Sequence, residues 1–187
     1  MPECKGLIRL WIHTNHCMAL VARDSHHLVQ NISDDSDMLQ AISYSANDEE
    51  EEIRIANALE KAKEAEEELK ANLENDIEQG LVTVERRDST VFVSLGAGGA
   101  FPSGSATLTG AAQGIVAELA AVTNDPGSSV VVAGHTDNVP IAFGALYRDN
   151  WDLAAARAAS VVQEIEGLNE VPARTMSATS FGETRPI

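Results

Sequence analysis

A carboxylate and a guanidinium stand twenty residues apart in this sequence, placed so that they can act together. Asp137 lies in Gly134-His-Thr-Asp-Asn-Val-Pro-Ile141, just after the β-branched run Ser129-Val-Val-Val-Ala133. Arg157 closes Asn150-Trp-Asp-Leu-Ala-Ala-Ala-Arg157, a helical composition. Polar residues at the C-terminal edge of a buried strand are where open α/β sheets place ligands. Asn150 and Arg157, two turns apart, fall near one helical face. Such a pair can grip a zwitterion: Asp takes an ammonium, and Arg takes a carboxylate through a bidentate fork. The same residues also serve as a structural ion pair fixing loop to helix. Residue type and spacing alone lean toward that second reading.

Other residues with chemical potential are weaker. His135 and Asp137 form an H-x-D pattern that some metal hydrolases use, but further His or acidic ligands do not accompany it. Cys4, His13, His16 and Cys17 match no familiar zinc spacing. Ser180-Phe-Gly182 is not a nucleophile elbow. Trp151 and Leu153 read as core anchors of their helix, and Tyr147 is the loop aromatic that offers a sugar platform.

Charge and glycine content divide the 187 residues into three segments. Residues 1–46 hold five acids and three bases with no sustained period, and read as a poorly ordered tail with one short helix around Leu7–Ala22. Residues 47–79 hold thirteen acids and four bases, and supply −9 of the net −16. They read as one long helix, capped by Asp48 and stopped by Gly80, rich in Ala, Glu, Leu and Lys. Ile55, Leu59, Ala62, Leu69 and Leu73 trace a heptad seam with Glu66 at its missing position. That seam suits a stalk or weak dimer helix as well as a solvated helix braced by i,i+4 pairs such as Glu66–Lys70.

Residues 80–187 hold eleven acids and six Arg, and alternate β with α. Leu81–Arg87 and Thr90–Leu95 form a hairpin about Asp88-Ser89. Thr109 caps a helix to about Val122. Ser129–Ala133 is the central strand, a long loop covers 134–149, Asn150 caps a helix to about Gly167, and Arg174–Thr179 is a last strand. The acidic balance argues against nucleic acid as a partner, because phosphate binding needs clustered Lys and Arg. The longest apolar run, Cys17–Ala22, is far short of the about 20 residues of a membrane-spanning helix.

Several spaced motifs occur together in one order. They are Phe101-Pro-Ser-Gly-Ser-Ala106, Gly134-His-Thr-Asp-Asn138, Tyr147-Arg-Asp-Asn-Trp-Asp-Leu153 with Arg157-Ala158, and Ser180-Phe-Gly-Glu-Thr-Arg-Pro186. Over about residues 75–187 the chain resembles an OmpA-like peptidoglycan-binding domain. Its long loop after Asp137 is similar to the flagellar motor stator B branch (MotB and PomB types). Other cell-wall anchors of the outer-membrane or lipoprotein type usually carry a shorter loop there.

The resemblance implies an α+β fold, a mixed sheet with helices on one face, preceded here by the acidic helix. It implies a non-catalytic anchor without a cofactor, acting in the periplasm and holding the stem peptide of peptidoglycan. Asp137 would bind the amino group of diaminopimelate and Arg157 its carboxylate. Thr136, Asn138, Asn150 and Leu153 fall on pocket positions, with Phe101 and Ser105 flanking them. A homodimer and a stator A subunit are the implied protein partners, the latter through a transmembrane helix that nothing in this sequence matches. The position after Leu153, a Ser in the family, is Ala154 here. The family domain also continues past Thr-Arg-Pro to a closing strand. Its absence predicts an incomplete domain with a bare sheet edge.

Overall fold

The computed structural model describes residues 7–14, 35–124, 127–141, 146–168 and 175–184. Cys4, His16, Cys17, Arg174, Arg185 and Pro186 lie outside them. Strands β2 (Val82–Arg87) and β3 (Thr90–Gly96) form the expected antiparallel hairpin. Asp88 turns it at φ 53°, a left-handed conformation that Asp tolerates better than most residues. β4 (Ser128–His135) and β5 (Met176–Gly182) are parallel neighbours. β5 runs beyond the Thr179 limit read from the sequence.

The fifth strand overturns an expectation. Leu7–Thr14, expected to belong to a short helix around Leu7–Ala22 within a poorly ordered tail, is β1. It lies between β3 and β4, antiparallel to both, in the sheet order β2-β3-β1-β4-β5. The register runs from Leu7↔Gly96 to His13↔Thr90 on one side, and from Leu7↔His135 to Thr14↔Ser128 on the other. The cause is a period of two: Ile8, Leu10 and Ile12 are buried on one face, while Arg9 and Trp11 point to the other. β1 therefore pairs with both β3 and β4. The edges of the sheet are β2 and β5.

The acidic helix also differs from its expected bounds. α1 spans Asp35–Asn72, so it begins well before Asp48, and α2 (Glu74–Glu78) follows after a break at Leu73. Gly80, at φ 72°, ends α2 as expected; its N–H and that of Leu81 bond back to the Ile77 and Asp76 carbonyls. The seam divides. Ala62, Leu69 and Leu73 are buried in the core, whereas Ile55 and Leu59 stay 48% and 37% exposed. The C-terminal half of α1 is therefore a helix packed on its own sheet.

Glu66, at the gap in the seam, accepts from Lys70 at 2.7 Å and from Arg86 of β2 at 3.0 Å. The hydrogen bond from Lys70, aided by Arg86, holds its carboxyl below the usual carboxylate range. A depressed native pKa stabilises above the unfolded value and fades as pH falls through the folded one. Glu66→Gln should therefore lower stability at pH 7 by up to about 1 kcal/mol and change nothing near pH 3, measured by urea unfolding at both pH values.

A short helical turn, α3 (Ala97–Ala100), leads to α4 (Gly110–Val122). Thr109 caps α4 as expected, its Oγ1 accepting from the Ala112 N–H. α5 (Asn150–Gly167) follows β4. Ile115 and Leu119 of α4, Val161 and Ile165 of α5, and the buried side of α1 cover Leu10, Val93 and Val132 of the sheet. On the opposite face Trp11 meets Phe92 and Phe181 edge-on, with ring centroids 6.2 and 6.3 Å apart. The architecture is the expected α+β mixed sheet.

Candidate functional site

β4 delivers the central loop, and its last residues are chosen for close approach. A Cβ on Gly134 would land on the Ala154 carbonyl, so only glycine lets α5 lie this near the strand. Ala154 is itself fully buried at that crossing. Gly134→Val should destabilise by about 1–3 kcal/mol or more through overpacking, and should displace α5 from the loop; thermal melting and a crystal structure of the variant check both.

The strand end is tied to β5. The Thr136 N–H donates to the Gly182 carbonyl at 2.9 Å, and Gly182 sits at φ 49° beneath the Trp151 ring. Ser180 Oγ donates to the Trp151 carbonyl at 2.9 Å. The Ser180-Phe-Gly182 motif is thus a clamp between the start of α5 and the end of β5. His135 is buried and stacks on Phe181, centroids 5.1 Å apart. Among the described residues no three His, Cys, Asp or Glu side chains gather to hold a metal, so the H-x-D pattern finds no further ligand there.

Asp137 is half-buried on the loop after β4, and its Oδ1 accepts from the Val139 N–H at 3.2 Å. Asn150 Nδ2 donates to the Asp137 and Val139 carbonyls at 3.2 and 3.1 Å. It pins that loop to α5 and does not cap the helix as expected. The cap is Asp149, whose Oδ1 accepts from the Asp152 N–H at 2.8 Å. The shift of one residue frees Asn150 to face the loop. Asn138 is exposed. Arg148 and Asp152 pair at 3.2 Å on the surface, and the hydrogen bond from Arg148 lowers the Asp152 pKa.

Arg157 projects from the second turn of α5 and is 1% exposed. Its Nε donates to the Ser105 carbonyl at 2.9 Å, and its guanidinium lies over the buried Phe101 ring, 5.1 Å from the centroid. Ser105 closes a turn onto the Pro102 carbonyl, with Gly104 at φ 67°. Leu153 is fully buried in the packing of α5. Thr136 Oγ1 and Asn150 Oδ1 are buried without a hydrogen-bond partner in the protein. Buried polar atoms are rarely left so.

Sequence reasoning named the side chains here but missed their supports: Gly134, Phe181 and Gly182. The Gly and aromatic spacing was visible, but its purpose needs the β4–β5 pairing.

Residues 100–187 match the OmpA family. The uncharacterized protein YtxE of Bacillus subtilis (strain 168) is 27% identical over 106 residues, 57% of this chain and 43% of that protein. Motility protein B of the same organism is 28% identical over 88 residues, 46% of this chain and 33% of its own length. The chain thus spans less than half the length of these curated relatives. Among solved structures, a MotB-like protein from Desulfovibrio vulgaris superposes with TM-score 0.59 at 22% identity, covering 70% of this chain and 81% of that one. The cell wall anchor of the T6SS from Pseudomonas aeruginosa superposes with TM-score 0.54 at 28% identity, covering 64% and 82%. Residues 100–187 therefore resemble the OmpA family, on a fold similar to those of a MotB-like protein and a cell wall anchor.

Proposed function

We propose that this protein is a non-catalytic anchor that binds peptidoglycan in the periplasm, and that its zwitterionic target is the diaminopimelate of the stem peptide. The observation that supports this reading is the loop after β4, where Asn150 pins the Asp137 segment to α5 and Thr136 Oγ1 and Asn150 Oδ1 are buried without a partner in the protein. Asp137 takes the ammonium. Arg157 takes the carboxylate, and Thr136 and Asn150 add hydrogen bonds. The motility relative and the cell wall anchor among the structural neighbours support the same reading. In it the protein fixes a motor stator to the wall, working as a homodimer with a stator A subunit. Among the described residues no helix is long and apolar enough to cross a membrane.

A second reading has its own support. Arg157 is almost fully buried and bonded to Ser105, which suits a strut holding the 101–105 turn. Under the anchor reading that turn, with Gly104 at its corner, yields to admit the carboxylate. Co-sedimentation with purified sacculi, comparing wild type with Asp137→Asn and Arg157→Lys, tests the anchor against the strut.

A further inference from the structure

We infer that a groove along the outer side of α5 is a carbohydrate subsite that takes the glycan of the same polymer. The inference rests on the peptidoglycan reading above. The groove measures about 530 Å³ and opens to solvent. That falls within the roughly 300–1,000 Å³ of small-molecule clefts. It is walled by residues 106–108, by Gln113 of α4, by Ala156, Ser160, Gln163 and Glu164 of α5, and by Tyr147 of the loop before α5.

Three observations point to a sugar. The lining is mostly neutral and hydrogen-bonding: Thr107, Gln113, Ser160 and Gln163 offer hydroxyls and amides that both donate and accept, as sugar hydroxyls and acetamido groups require. The one aromatic among the described lining residues is a half-buried Tyr147, whose ring supplies an apolar face with a polar tip. Among the described lining residues the only charge is Glu164, in a chain of net charge −16, so an anionic polymer is disfavoured while an uncharged glycan is not. The muramic acid carboxyl is uncharged once joined in amide linkage to a stem peptide.

Position completes the argument. The wall at 106–108 continues directly from Ser105, which accepts the Arg157 Nε, and Ala156 neighbours Arg157 in sequence. The groove therefore begins beside the turn that Arg157 holds. A ligand whose peptide ends at Asp137 and Arg157 can lay its sugars against Tyr147. Two linked contacts on one polymer raise retention without either being tight.

The test uses the whole chain and three probes in calorimetry: a stem peptide free of sugar, the same peptide on its N-acetylglucosamine–N-acetylmuramic acid disaccharide, and a tetramer of N-acetylglucosamine. Tyr147→Ala and Gln163→Ala should each raise Kd for the disaccharide-peptide about tenfold, a loss of roughly 1.4 kcal/mol. Both should leave the sugar-free peptide unchanged and abolish the weak binding of the tetramer. The inference is overturned if the variants match wild type on both sugar probes, or if they weaken the bare peptide equally. Wild type that takes the tetramer through Tyr147 but ignores the bare peptide would sink the peptide reading and leave the groove standing. Binding of neither sugar probe by wild type would sink the groove. Unchanged circular dichroism of both variants separates any loss from misfolding.

Discussion

A chain that lacks residues 1–14 should lose its cooperative unfolding transition. β1 is not a peripheral addition. Ile8, Leu10 and Ile12 are at most 1% exposed, and they fill the centre of the sheet beneath α1, α4 and α5. Each such side chain contributes about 1.5–3 kcal/mol by leaving water. Together they match much of the about 5–15 kcal/mol by which domains are stable. Removal also strips partners from two strands at once, since β3 and β4 both bond to β1. Unpaired edges of that length invite self-association. The truncated protein should therefore elute as a heterogeneous oligomer and melt without a sharp transition. The point variant Leu10→Ala keeps the ladder and leaves a cavity, costing about 2–5 kcal/mol. At about 2–4 °C per kcal/mol for a chain of this size, it should melt about 5–15 °C lower. A synthetic peptide of residues 7–14 added to the truncated chain should restore part of the transition. Full-length stability in the chain without residues 1–14 would show that the sheet tolerates an empty centre.

That strand marks the boundary of what sequence pattern reveals. Leu7-Ile-Arg-Leu-Trp-Ile12 does alternate, yet with Leu7 and Ile8 adjacent and Trp11 between Leu10 and Ile12 it also reads as a short apolar run, which fits helix or strand alike. No turn links it to a neighbour, and its partners lie about eighty and one hundred and twenty residues away. Only the sheet decides. The hairpin at 81–95 was legible because both strands and their two-residue turn are contiguous. α4 and its Thr109 cap were legible for the same reason. The acidic helix was legible as a helix but not in its role. Leu69 and Leu73 fit a heptad seam as well as a sheet-packing stripe, and the difference lies in what faces them. The motifs that hold Asp137 and Arg157 could be singled out because each is short and one loop joins them. The cap at Asp149 in place of Asn150 was beyond reach, since Asp and Asn are equal candidates until the loop carbonyls of Asp137 and Val139 claim one amide.

Asp137→Asn should remove most retention on sacculi while the fold stays intact. The amide keeps the shape of the carboxylate and an oxygen for the Val139 N–H, so the turn survives. What it loses is the charge that would face an ammonium. Removing one member of a desolvated charge pair commonly costs about 2–5 kcal/mol, a drop of roughly thirtyfold or more in affinity. Arg157 is expected to behave differently, because it has two tasks. Arg157→Ala leaves the Ser105 carbonyl without its donor and uncovers Phe101, so melting and retention should both fall. Arg157→Lys keeps a cation over the ring but cannot present a planar fork. Under the anchor reading it melts near wild type yet is retained many-fold less. Under the strut reading retention by Arg157→Lys follows its stability alone, and Asp137→Asn is retained like wild type. Raising salt should weaken wild-type retention under the grip only modestly, since Asp137 is half-buried and partly shielded from screening. Retention that ignores salt, Asp137 and Arg157 alike would place the wall contact elsewhere on the domain.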